Sequence, residues 1–230
     1  GLVLGVADWW RRHRRGATPG HGAKHGDASH AVLLDLEGHG REEVFAGLDL
    51  SRTVGWHTSL FPVRLDLGAP DTDALLTGGE ALGRLLKSIK EQLRALPNNG
   101  LGYGLLRYLN RETAPQLAEH AVPQIGFNYL GRMASAGGTG WAFAEESVRL
   151  GGSDPAMPLG HCVEINAHTL DGADGARLIA EWSFAPALIA ESEVRDLAQS
   201  WFRALEALVR HAAQPGAGGR TPSDLPLVAL

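Results

Sequence analysis

Residues 161–170, "HCVEINAHTL", and residues 176–184, "ARLIAEWSF", flank the turn Asp171-Gly172-Ala173-Asp174-Gly175. Both arms alternate apolar and polar positions. Alternation with period two around a glycine-containing turn predicts a β-hairpin, because successive strand side chains point to opposite faces. Val163, Ile165 and Ala167 then share one face of the first arm. Leu178, Ala180, Trp182 and Phe184 share one face of the second. An apolar sheet face must be covered, and the next segment offers a cover. After Ser192, a candidate N-cap, Val194, Leu197, Trp201, Leu205 and Leu208 recur at helical spacing.

The same two periods recur upstream. Residues 32–36 form a short apolar run that predicts a buried strand. "FPVRLDL" (61–67) predicts a second, with Val63, Leu65 and Leu67 on one face and Pro62 breaking it at its start. "VPQIGFNYLG" (122–131) reads as a strand ending at Gly131. The first helix is expected to end near Arg15, before Gly16 and Pro19. Leu75, Leu82, Leu85, Leu86, Ile89, Leu93 and Leu96 predict one helix over 72–96, stopped by Pro97-Asn98-Asn99-Gly100. "GLLRYLNRETA" (104–114) suggests another short helix. Strands interleaved with long helices indicate an α/β sandwich layer.

Composition narrows the function classes. A chain of 230 residues can bury a real core. Its 44% apolar and 20% charged content fits a soluble globular protein, and a single thiol gives no sign of secretion, so a cytoplasmic protein is expected. A net charge of −5 argues against a nucleic-acid surface, and no apolar stretch is long enough for a membrane span. Cys162 is the single thiol, so no internal disulfide is possible, and it is expected as a small buried strand residue. Residues 16–29 form a Gly/His-rich segment expected to be a mobile loop. His21, His25 and His30 do not sit on one helical face, so no metal site is expected there. The amphipathic pattern is already under way at Gly1, and the chain stops in the apolar run "LPLVAL", so both ends are expected to be cut.

The stretch "LLDLEGHGREE" (33–43) carries the main chemical candidate. On a strand, Leu33, Asp35 and Glu37 share one face. Gly38 and Gly40 let the backbone turn sharply or approach a ligand. Partial burial raises the pKa of such a carboxylate, and His39 or Arg41 nearby lowers or orients it. A surface turn with a Glu–Arg pair fits the same spacing. "RTVGWHTSLFPVRL" (52–65) fits either an ordinary loop with a buried Trp56 or a channel-lining segment that carries Arg64 inward, where it needs an acidic partner. Asn128 and Tyr129 supply an amide and a phenol at a strand end. "PNNGLGYG" lacks the Lys-Ser/Thr of a P-loop, and no Gly-x-Ser-x-Gly nucleophile elbow is present.

Four segments are more specific together than singly: "DLEGHGRE" (35–42), "DLSRTVGWHTSLFP" (49–62), "PNNGLGYGLLRYL" (97–109) and "GFNYLGR" (126–132). In this order they resemble the epimerization domains of nonribosomal peptide synthetases, within the condensation-domain superfamily. "TPSDLPLVAL" (221–230) resembles the end of those domains. The resemblance covers nearly the whole chain, 1–230. It implies a chloramphenicol acetyltransferase-like α/β sandwich of two lobes around a tunnel, with this chain as the C-terminal lobe. The N-terminal lobe of the family carries HHxxxDG, and this chain contains no adjacent His-His pair.

What the resemblance implies is inversion at the α-carbon of an aminoacyl or peptidyl thioester. The substrate is held on the 4'-phosphopantetheine arm of a peptidyl carrier protein, and the lobe itself binds no cofactor. Other implied partners are the HHxxxDG lobe and neighbouring synthetase domains. Glu37 would be one of two acid/base groups, with Asn128 and Tyr129 assisting, and His39, Arg41, Trp56, His57 and Arg64 supporting or lining the tunnel. His57 departs from the family's phenylalanine in "GWFT". Arg64 matches an arginine that pairs with the aspartate of HHxxxDG in condensation-type relatives. The isolated lobe is then expected to be inactive. A condensation domain forming amides and a non-catalytic carrier-docking module are the alternative readings.

Overall fold

The computed structural model describes residues 1–14, 31–68, 71–134, 157–172 and 175–225. The segment 16–29, with His21 and His25, and also His30, lie outside these residues. In chain order the elements are helix α1 (Leu2–Arg14), strands β1 (Ala31–Gly38) and β2 (Ser59–Asp66), and helices α2 (Thr72–Leu76) and α3 (Glu80–Arg94). A π-helical turn (Leu105–Leu109) and helix α4 (Ala114–Ala118) follow. Strands β3 (Ile125–Ala134), β4 (Val163–Gly172) and β5 (Gly175–Phe184) and helix α5 (Glu191–Ala212) complete the set.

The strands form one sheet in the order β2-β1-β3-β4-β5. Strands β1, β3 and β4 run parallel, and β2 and β5 close the edges antiparallel. The β4–β5 hairpin pairs from Val163↔Phe184 to Gly172↔Gly175, as the alternation predicts. Val32, Leu34, Val63, Leu65, Val163, Ile165 and Ala167 are buried on one face. Leu2, Val3 and Val6 of α1 and Val194, Leu197 and Trp201 of α5 join them in one core. Trp201 meets Trp182 edge-on, with ring centroids 5.7 Å apart. Gly5 lets α1 cross close, since a Cβ there would lie 2.7 Å from the Trp201 Cα.

A buried charge network ties α1 to α5. Asp8 is 1% exposed. It accepts from Arg203 Nη2 at 2.7 Å and from Arg11 Nη2 at 3.1 Å, while Arg12 Nη1 reaches Asp196 Oδ1 at 2.8 Å. Burial alone would push the Asp8 carboxyl up, but Arg203, Arg11 and Arg12 outweigh it and hold it below the usual carboxylate range.

Several expectations are corrected. The helix predicted over 72–96 is two helices, interrupted at Thr77-Gly78-Gly79. Gly78 has φ +85, and a Cβ there would lie 2.8 Å from the Ala207 carbonyl oxygen, so the break lets α2 and α3 close on α5. Pro62 does not start β2 but sits inside it, opposite Asp35. β2 is an edge strand, where a missing N–H is tolerated. Ser192 does not cap α5; Glu193 accepts from the Ala190 N–H at 3.0 Å instead. β3 runs past Gly131 with a shift in register between Tyr129 and Arg132. Cys162 lies one residue before β4 and is half-buried. Near the C-terminal end, a 3₁₀ turn (Pro222–Asp224) docks on α3 through Lys90–Asp224 and a 2.6 Å bond from Ser223 Oγ to Glu91 Oε1.

Candidate active site

Strand alternation divides the sheet into two chemistries. Helices α1, α3 and α5 pack on the apolar face. The opposite face carries Asp35 and Glu37 of β1, Asn128 of β3, Glu164 and Asn166 of β4, and Glu181 of β5. One row runs Asp35–Gly126–Glu164, and the next includes Asn128–Asn166–Glu181. Glu37 and Glu181 are exposed on this face.

The Asp35–Gly126–Glu164 row holds a histidine that sequence reasoning missed. His161, only 10% exposed, lies just before β4. Its Nε2 is 2.8 Å from Asp35 Oδ2, and its Nδ1 is 3.3 Å from Glu164 Oε1. Glu164 Oε1 also accepts from the Gly160 N–H at 3.0 Å. Gly126 makes the room: a Cβ there would sit 2.7 Å from His161 Nδ1. The available sequence signal was indirect, a histidine just ahead of a strand whose outward residues are polar.

Glu37 titrates above the ordinary carboxylate range. Loss of water around it is the main cause, the Glu164 carboxylate adds to it, and His161 opposes it. Arg41 and His39 are therefore not its tuning groups. Arg41 instead staples the following loop: Nη1 donates to the carbonyls of Leu50 at 3.1 Å and Thr53 at 2.5 Å, and Nη2 to that of Gly55 at 3.3 Å. His39 Nδ1 accepts from the Arg41 backbone N–H at 2.9 Å, and its Nε2 is 3.5 Å from Glu42. Gly40 has φ +64, and a Cβ there would lie 1.5 Å from the His57 carbonyl oxygen, so the loop closes only on glycine. Asn99 Nδ2 donates to Glu42 at 2.8 Å, bringing the PNNG segment onto the same loop.

The other expected site residues are dispersed. Asn128 shares the face of Glu37. Tyr129 points to the other face and bonds Thr169 Oγ1 at 2.8 Å, so the two are not brought together. Trp56 is 91% exposed rather than buried. His57 is half-buried, and its Nε2 has no hydrogen-bond partner among the described residues. Arg64 is not carried into the interior: its side chain is 55% exposed, and Nη1 is 3.6 Å from Asp66. It borders a groove of about 560 Å³ that Asp35, Pro62, Tyr103, Arg107 and His120 also line. Burial, and then Tyr108, push the Tyr103 phenol up. Among the described residues no cluster of His, Cys, Asp or Glu is arranged to hold a metal ion, and no helix is long and apolar enough to cross a membrane.

Comparison with known proteins adds the lineage. The condensation domain family matches residues 27–225. A linear gramicidin synthase of Brevibacillus parabrevis is 39% identical over 202 residues, which cover 87% of this chain and 4% of that protein. Bacitracin synthase 3 of Bacillus licheniformis is 38% identical over 194 residues, 84% of this chain and 3% of that protein. The crystal structure of the epimerization domain from the third module of tyrocidine synthetase B superposes with a TM-score of 0.64 at 29% identity. It covers 93% of this chain and 41% of that one. The chain thus spans only a few per cent of the synthetases it resembles and less than half of the solved domain. Its five-stranded mixed sheet is the chloramphenicol acetyltransferase-like fold of that structure. With the family match running from before β1 to beyond α5, the chain belongs to the condensation-domain family.

Proposed function

We propose that this chain is the C-terminal lobe of an epimerization domain, and that Glu37 is one of the two groups that move the substrate α-proton. The observation that carries the reading is a carboxyl group with a raised pKa on an open polar sheet face, beside a loop on which the EGHGRE, RTVGW and PNNG segments converge. The similarity to a solved epimerization domain supports it.

The chemistry asks for little more from this lobe. Inversion removes the α-proton on one face of the thioester, leaving an enolate, and returns a proton on the other face. Two acid/base groups must flank the carbon, and donors near the thioester oxygen stabilise the enolate. Glu37 serves one side and Asn128 is the amide nearest in the sheet for the oxygen. The second group belongs to the complementary HHxxxDG lobe. The substrate arrives on the phosphopantetheine arm of a carrier protein, and the groove beside Arg64 and Arg107 opens on the same face.

The test is solvent deuterium exchange at the α-carbon in the complete two-lobed domain. Glu37→Gln is expected to slow exchange by about 10²-fold or more, the usual range for a general acid/base. Unchanged exchange and an unchanged L/D ratio would sink the assignment. The family match itself favours a second reading, amide formation. A new peptide bond between two loaded carrier proteins, without inversion, supports that one.

A further inference from the structure

We propose that His161 is a positioning residue of this site: clamped between Asp35 and Glu164, it cross-links β1 to β4 over Gly126 and sets the charge that Glu37 works against. The inference rests on the reading of Glu37 as an acid/base group.

Three observations carry it. The first is the clamp, with one carboxylate 2.8 Å from Nε2 and another 3.3 Å from Nδ1. Each ring nitrogen thus meets a carboxyl oxygen from a different strand, and an imidazole carrying hydrogen on both nitrogens donates to both. The second is the pocket built for the ring, since Gly126 is the single position between Asp35 and Glu164 in that row and any side chain there would strike the imidazole. The third is the neighbourhood of Glu37. Glu164 raises its pKa and His161 lowers it, so the clamp holds two groups of opposed influence in fixed register. Among the described residues the other charged or titratable groups on this face are Arg64 of β2, His168 of β4, and Arg177 and Glu181 of β5, with the His39–Glu42 pair in the loop after β1 and Tyr103, Arg107, Tyr108 and His120 along the groove at Asp35. β3 presents the neutral Asn128.

The experiment follows α-proton exchange against pH in the complete domain within its synthetase, using its own aminoacyl thioester. Removing the imidazole with His161→Gln is expected to move the acid limb of the profile to higher pH. Glu164→Gln removes the neighbouring anion and is expected to move it to lower pH. Opposite shifts from two touching residues are not a product of general loosening. If His161→Gln does not fold, Gly126→Ala displaces the ring by one methyl group and should shift the limb the same way. Unmoved limbs, or shifts in one common direction, overturn the role of His161. When Glu37→Gln abolishes exchange in the same protein, that failure leaves Glu37 in place. An inert Glu37→Gln overturns both.

Discussion

The setting of Glu37 on the open sheet face works against stability. Its carboxyl titrates higher in the folded chain than in the unfolded one. Its charged form therefore opposes folding. That cost is absent where both states are protonated, begins as pH rises past the unfolded value of about 4.3, and is complete above the folded value. Glu37→Gln should accordingly raise the melting temperature at pH 7 and lose that advantage near pH 3, in thermal melts followed by circular dichroism. An equal effect at both pH values would separate Glu37 from its charged neighbours. Gly40 makes a second residue-scale case. Its φ of +64 and the His57 carbonyl leave no room for a methyl group. Gly40→Ala should cost about 1–2 kcal/mol from the left-handed backbone alone, with the contact adding to it, in denaturant titrations. The alternation around Glu37 was legible in the sequence. The groups that tune it were not, because Arg41 is adjacent in sequence yet spends its donors on carbonyls nine to fourteen residues away.

At the scale of elements, the α1–α5 pair depends on Asp8. Asp8 is buried but its arginine partners are part-exposed, so Asp8→Ala should destabilise the chain by about 1.5–3 kcal/mol, the range for hydrogen bonds to a charged group. The pH dependence has the opposite sign to that of Glu37. Asp8 is held low in the folded state, so its contribution is present above its unfolded value of about 3.9 and lost as pH falls through the folded one. Melts between pH 5 and pH 2.5 should show a steeper loss in the wild type than in Asp8→Ala. The strands and the stripe of α5 were readable from periodicity. The break between α2 and α3 is hidden from periodicity, because leucines on both sides of Gly78-Gly79 keep helical spacing across the gap. Pro62 misled for the converse reason: it breaks a central strand, and only the sheet order makes β2 an edge.

At the scale of the whole molecule, the open face is bordered by apolar side chains that a free surface rarely groups. Leu60, Tyr108 and Val122 are 47%, 71% and 69% exposed and line one groove. Exposed apolar groupings of this kind mark interaction surfaces. The chain alone should self-associate in sedimentation velocity, and on the two-lobe reading proposed above, adding the N-terminal lobe should replace that species with a one-to-one complex. Tyr108→Ser with Val122→Ser should weaken both associations without lowering the melting temperature, since neither residue is buried.

The strands, their apolar faces, the stripe of α5, the glycine-closed loop after Glu37 and the ordered motifs of the condensation-domain family are all written in the order of residues. These features are local: each is encoded by residues a few positions apart, whose spacing obeys the period of a helix or strand. Which strands lie side by side, and that His161 stands between Asp35 and Glu164, emerge only from the folded chain. His161 and Asp35 are 126 positions apart. Their meeting depends on parallel pairing of β1, β3 and β4 in one register, and no local period carries that register.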